Sequence, residues 1–65
     1  MQLNGEQKEA DGRTITQIIE EMGLKKVMVA VELNENILPK DQYDTYVPKE
    51  NDVVEIVQFM GGGSL

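Results

Sequence analysis

Three groups of residues in this sequence have types that could do chemistry. Glu20–Glu21, Asp41 with Asp44, and Glu50 with Asp52 are paired carboxylates, as used in acid–base catalysis or to bind a hard cation. Their spacing lacks the periodicity of a calcium-binding loop, and the sequence makes no pocket or dedicated cationic partner visible for them. Exposure to solvent is the ordinary fate of such side chains. Lys25–Lys26 offers charge to a phosphate, but the pair directly precedes the most apolar stretch of the chain and reads as the loop entering a strand. The third group has no side chains. Gly61–Gly62–Gly63 lacks the Lys and Ser/Thr of a phosphate-binding loop. Composition leaves three readings of it open. It is a flexible spacer or cloning remnant, a frayed terminus, or a thread for a partner's active site. In a narrow tunnel any Cβ would collide, and only glycine accepts whatever torsion the tunnel imposes.

Composition narrows the field further. The chain has no Cys and no His, which excludes disulfides, metal sites built on thiolate or imidazole, and nucleophiles activated by a His base. If the protein has a reactive group, the chain terminus is the place for it. At 65 residues it is one small domain, a size that buries only about 60% of its unfolded surface. Six basic against twelve acidic residues give a net charge of −6. That argues against nucleic acid and anionic membranes and favours a protein partner with a basic surface. No apolar run approaches the roughly 20 residues of a membrane span, and no signal-peptide pattern precedes the first polar residues. A cytoplasmic monomer that binds no metal or cofactor of its own is the expectation.

The elements that must position the tail are legible from pattern. Asn4–Gly5 between Met1–Leu3 and the polar Gln7–Lys8–Glu9 predicts a hairpin with a type I′ turn and an edge return strand. Thr14 followed by Gln17 is a capping box. Ile15, Ile18, Ile19 and Met22 repeat at helical spacing, so a short helix is expected over Ile15 to Met22, closed by Gly23 with Leu24 folding back. Val27–Leu33 and Val53–Met60 read as the two central strands, with a brief strand at Ile37–Leu38 stopped by Pro39. Lys40 to Asn51 reads as a loop with one helical turn, its tyrosines Tyr43 and Tyr46 covering a core edge. The fold class is then α+β, a mixed sheet in ββαββ order with one helix across one face, which is the β-grasp (ubiquitin-like) layout. The domain spans 1–60, and 61–65 is a glycine-rich tail expected to be mobile.

The Asn4–Gly5 hairpin, the short helix, Val29–Asn34, Ile37–Leu38–Pro39 and the run Asn51-Asp52-Val53-Val54-Glu55-Ile56-Val57 leading to the glycines together resemble the ThiS family. These are ubiquitin-like sulfur carriers of thiamine thiazole biosynthesis, and the resemblance covers essentially the whole chain. It implies a carrier rather than an enzyme. An adenylating, ubiquitin-activating-like enzyme using ATP and Mg would activate the terminal glycine carboxylate. A sulfur donor such as a cysteine desulfurase would convert it to a thiocarboxylate, and thiazole synthase would receive the sulfur. The matching positions are Gly61, Gly62 and Gly63. The molybdopterin carriers, another β-grasp branch, have a more proline-rich approach to their glycines than Gln58–Phe59–Met60. A carrier for a different pathway, a module with an inert tail, and protein conjugation are the other functions the layout allows.

Two positions depart from the family pattern. Its Asp-Gly-Asp turn reads Glu50-Asn51-Asp52, and Asn51 is expected to take the left-handed conformation in glycine's place. The carboxylate stands on Leu65 rather than on a glycine. Ser64–Leu65 are therefore expected to be trimmed by a peptidase or to be foreign to the natural chain; if neither holds, the protein is no carrier in this form. A docking surface is expected beside the tail. If Val54 and Ile56 face the helix, strand alternation puts Val57 and Phe59 on the opposite face, with Met28 and Ala30 beside them and Met60 following.

Overall fold

The computed structural model describes residues 1–59; what was expected of Met60 and of Gly61 to Leu65, the domain–tail boundary included, lies outside the described residues. Five strands and one helix follow in the order β1 (Gln2–Leu3), β2 (Glu6–Gln7), α1 (Ile15–Glu21), β3 (Val29–Leu33), β4 (Asn36–Ile37) and β5 (Val53–Gln58). The sheet order is β2-β1-β5-β3-β4. β1 runs parallel to β5, and the other pairings are antiparallel. This is the expected β-grasp arrangement; the brief β4 follows β3 in sequence and lies beside it at the edge of the sheet. β5 lies at the centre, and β2 is an edge strand.

The helix forms because both of its ends are satisfied. The Gln17 amide donates to Thr14 Oγ1 at 3.2 Å and the Thr14 amide to Gln17 Oε1 at 2.9 Å, so the capping box is closed. At the other end the Gly23 amide donates to the Glu20 carbonyl (2.9 Å) and the Leu24 amide to the Ile19 carbonyl (3.1 Å). Gly23 has φ +77°, and these two bonds are the Schellman pair. Two further amides of the first turn, Ile15 and Thr16, donate to the carbonyls of Tyr46 (3.0 Å) and Tyr43 (2.9 Å). Seven residues are too few for a stable isolated helix. Burial of Ile15, Ile18 and Ile19, worth roughly 1.5–3 kcal/mol each, is what holds it. Met22 was expected on the same stripe but is 38% exposed. It is the C-cap, where the helical spacing ends, and Leu24 packs against the core instead.

The core lies between α1 and one face of the sheet. It gathers Met1, Leu3, Val29, Val31, Leu38, Tyr43, Val54 and Ile56 around the helix isoleucines. Tyr43 is not an edge cover as expected. It is 1% exposed, with its hydroxyl accepting from the Val31 amide at 3.2 Å. The segment expected as strand from Val27 pairs only from Val29. Lys26–Met28 form a 3-10 turn, closed by the Met28 amide on the Lys25 carbonyl at 2.9 Å. Lys26 Nζ is drawn outward to Asp44 Oδ1 at 2.8 Å, and Val27 is left exposed. Asn51 is not among the residues with positive φ; Asn4, Asp11, Asn34 and Glu35 are. The turn before β5 closes without a left-handed residue. The Asp52 amide donates to the Lys49 carbonyl at 3.0 Å, and the Lys49 amide returns a bond to Asp52 Oδ2 at 2.8 Å.

Candidate functional site

β5 carries the chain from the middle of the sheet to the glycines, so its outer face is the surface nearest the tail in sequence. Val54 and Ile56 are buried, and Glu55 and Val57 alternate onto the opposite face. The β3–β5 register sets Ala30 across from Val57 and Glu32 across from Glu55. In antiparallel pairs, residues directly opposite share a face. Val57 is 56% exposed and Phe59 49%, whereas Ala30 is half-buried. Met28 belongs to the turn before β3 rather than to the strand, and its carbonyl accepts from the Phe59 amide at 2.8 Å. Four of the expected docking residues, Met28, Ala30, Val57 and Phe59, thus cluster at one end of the two central strands. Met60, Gly61, Gly62 and Gly63 lie outside the described residues.

Beside this apolar end the face turns acidic. Glu32 and Glu55 oppose each other directly, and neither is in an ion pair among the described residues. Two like charges so placed repel. Val53 and Ile37 are exposed on the same face, opposite Gln2 and Glu32 in register.

The start of β5 is anchored by groups that pattern alone did not single out. Asp52 is 8% exposed, contrary to the expectation that the carboxylate pairs are all solvated. It accepts from the Tyr46 hydroxyl, from the Lys49 amide at 2.8 Å and from Asn34 Nδ2 at 3.0 Å. Burial disfavours its ionised form, but these bonds outweigh burial and hold the carboxyl below the usual carboxylate range. The same bond pushes the Tyr46 phenol up to about 12, with burial adding to the effect. Asn34 also takes the Val53 amide on its Oδ1 at 2.8 Å, and Asn4 takes the Ile56 amide on its Oδ1 at 2.8 Å. Two turn asparagines therefore latch onto β5. The other carboxylates sit at the surface: Glu21 pairs with Arg13, and Asp44 with Lys26 and Thr16. Among the described residues no three acidic side chains converge on a point that could hold a metal ion, and no helix is long and apolar enough to cross a membrane.

What this frame resembles among known proteins is consistent at every level of comparison. The family model described as the ThiS family matches residues 1–63, the glycines included. The sulfur carrier protein ThiS of Thermus thermophilus is 39% identical over 61 residues, which cover 94% of this chain and 95% of that protein. A thiazole synthase of Paramagnetospirillum magneticum is 38% identical over 63 residues, covering 95% of this chain but 19% of the synthase. The chain thus spans nearly all of the carrier and about a fifth of the synthase. The crystal structure of a thiamine biosynthesis protein (ThiS) from Geobacter metallireducens superposes with a TM-score of 0.69 at 32% identity, covering 94% of each chain. With family model, full-length relative and solved structure agreeing over essentially the whole chain, this protein belongs to the ThiS family.

Proposed function

We propose that the protein is a sulfur carrier whose reactive group is the carboxylate of the last glycine, exposed after removal of Ser64–Leu65. A partner enzyme adenylates that carboxylate with release of pyrophosphate, using ATP and Mg held by the partner. The terminal sulfur of a persulfide formed by a cysteine desulfurase then attacks the glycine carbonyl and displaces AMP. A thiol supplied by the partners reduces the resulting acyl disulfide, leaving a thiocarboxylate on the carrier and a disulfide on the partner side. The carrier delivers this sulfur to a thiazole synthase. The observation that carries the reading is the family match running through Gly61, Gly62 and Gly63. No side chain of the fold is required to react, which suits a sequence without Cys or His. Thiazole synthase as recipient is supported by the synthases that contain a segment like this chain.

Docking through the Met28, Ala30, Val57 and Phe59 end of the sheet, continued by Met60, is part of the same proposal. It is supported by the exposure of Val57 and Phe59 beside the origin of the tail. A charge placed there tests it. Phe59→Asp is expected to keep the far-ultraviolet circular dichroism and melting cooperativity of the wild type. It is also expected to abolish tail-dependent exchange of pyrophosphate into ATP by the activating enzyme of the same host. An unfolded variant, or a folded one activated as well as the wild type, would refute docking through this end.

A further inference from the structure

We propose that Lys40 is a positioning residue that fixes the point at which the chain leaves the fold toward the glycines. The proposal rests on the reading that the glycine end is what partners act on. It starts from the free edge of β3. β4 pairs only with Glu32 and Leu33. Beyond it, the Val31 carbonyl accepts from the Leu38 amide at 2.9 Å, and the Val31 amide donates to the Tyr43 hydroxyl. The next edge carbonyl, that of Val29, takes Lys40 Nζ at 2.9 Å, and the same ammonium reaches the Lys26 carbonyl at 2.9 Å. Lys40 thus stands in for a missing strand partner, satisfying backbone that would otherwise be an open edge.

The ammonium also lies 5.7 Å from the centroid of the Tyr43 ring and 5.8 Å from that of Phe59, within cation–π range of both. It makes no ion pair among the described residues, so its charge acts on the carbonyls and the rings. Tyr43 is 1% exposed and set in the core, whereas Phe59 is 49% exposed and follows the last residue of β5. Of the two rings beside Lys40, Phe59 is the exposed one. The cation restrains its ring, and the Met28 carbonyl holds its amide at 2.8 Å. A tail whose root is already held loses less conformational freedom when a partner takes it up. That benefit belongs to binding and not to the chemical step, so its loss raises KM and leaves kcat alone.

The test compares wild type, Lys40→Met and Lys40→Arg, each produced in the protein's own host. Two quantities are read: hydrogen exchange at the Phe59 amide, and the KM and kcat of activation by that host's adenylating enzyme. Lys40→Met is expected to speed Phe59 exchange and to raise KM by about two- to fivefold, the range of an exposed cation–π contact. Its kcat should be unchanged, and Lys40→Arg should restore both readings. Unaltered Phe59 exchange in a folded Lys40→Met would overturn the clamp. Faster exchange with unaltered KM would reduce Lys40 to an edge cap and overturn positioning. If Lys40→Met fails to fold, Phe59→Leu removes the ring and leaves the edge bonds in place. The residue-59 amide should then exchange faster, and unchanged exchange refutes the clamp. A wild type that is never activated refutes the functional reading, while the Phe59 amide still decides the clamp.

Discussion

Asp52 is the polar group on which the start of the central strand depends. Its carboxylate gathers an asparagine amide from the turn after β3 and a tyrosine hydroxyl and a backbone amide from the loop before β5, and leaving such partners unsatisfied in a buried place costs about 1–3 kcal/mol. Asp52→Asn should lower the unfolding free energy at neutral pH by that order, measured by urea denaturation. The pH dependence follows from the shifts. The native carboxyl lies below its ordinary range. Its contribution is therefore complete above the unfolded value near 4 and is lost as pH falls through the native one. The native phenol lies at about 12. Its contribution is complete below the ordinary value near 10 and is lost as pH rises through the native one. The stability gap between wild type and Tyr46→Phe should therefore close at the alkaline end, and the gap to Asp52→Asn at the acid end. A gap constant from pH 3 to pH 12 would contradict this account of the network.

At the scale of elements, β3 and β5 carry both the core and the outer face, and the outer face has not been tuned for stability alone. The opposed Glu32 and Glu55 repel, and removing one charge from such a pair is worth about 0.2–1 kcal/mol. Glu55→Gln should raise the melting temperature slightly, by an increment that shrinks with added salt. A lower melting temperature would mean that the pair is not repulsive. The buried face of β5 was legible from alternation, Val54 and Ile56, whereas the uniformly apolar start of β3 marked a central strand and left its faces to be set by pairing with β5. The helix and both its caps were legible too, because Thr14, Gln17 and Gly23 act within one turn of chain. What sequence could not supply depends on contacts distant along the chain. Lys40 reaches Val29, Asn4 reaches Ile56, and the carbonyls of Tyr43 and Tyr46 serve the first turn of the helix. Asp52 looked like any exposed acid because its partners Asn34 and Tyr46 are remote or lie in the loop. Asn51 looked left-handed because local preference does not register the bond that the Asp52 side chain returns to Lys49. The Met22 exposure has the same origin, since spacing does not say where a helix stops being covered.

For the whole molecule, the described residues form one α-helix on one sheet with β5 at its centre, in a chain of net charge −6. The family match extends through Gly63, and Val57 near the end of β5 and Phe59 just past it are exposed apolar residues. The proposed chemistry takes place at the terminus and is carried out by other proteins, so the covalent state of that terminus in the cell is the most direct test of the proposal. The measurement is the intact mass of the protein isolated from its own host under thiamine limitation. The account predicts a species ending at Gly62 or Gly63, a fraction of it heavier by the exchange of one oxygen for sulfur. A species that retains Ser64 and Leu65, with no sulfur-shifted form, would contradict it.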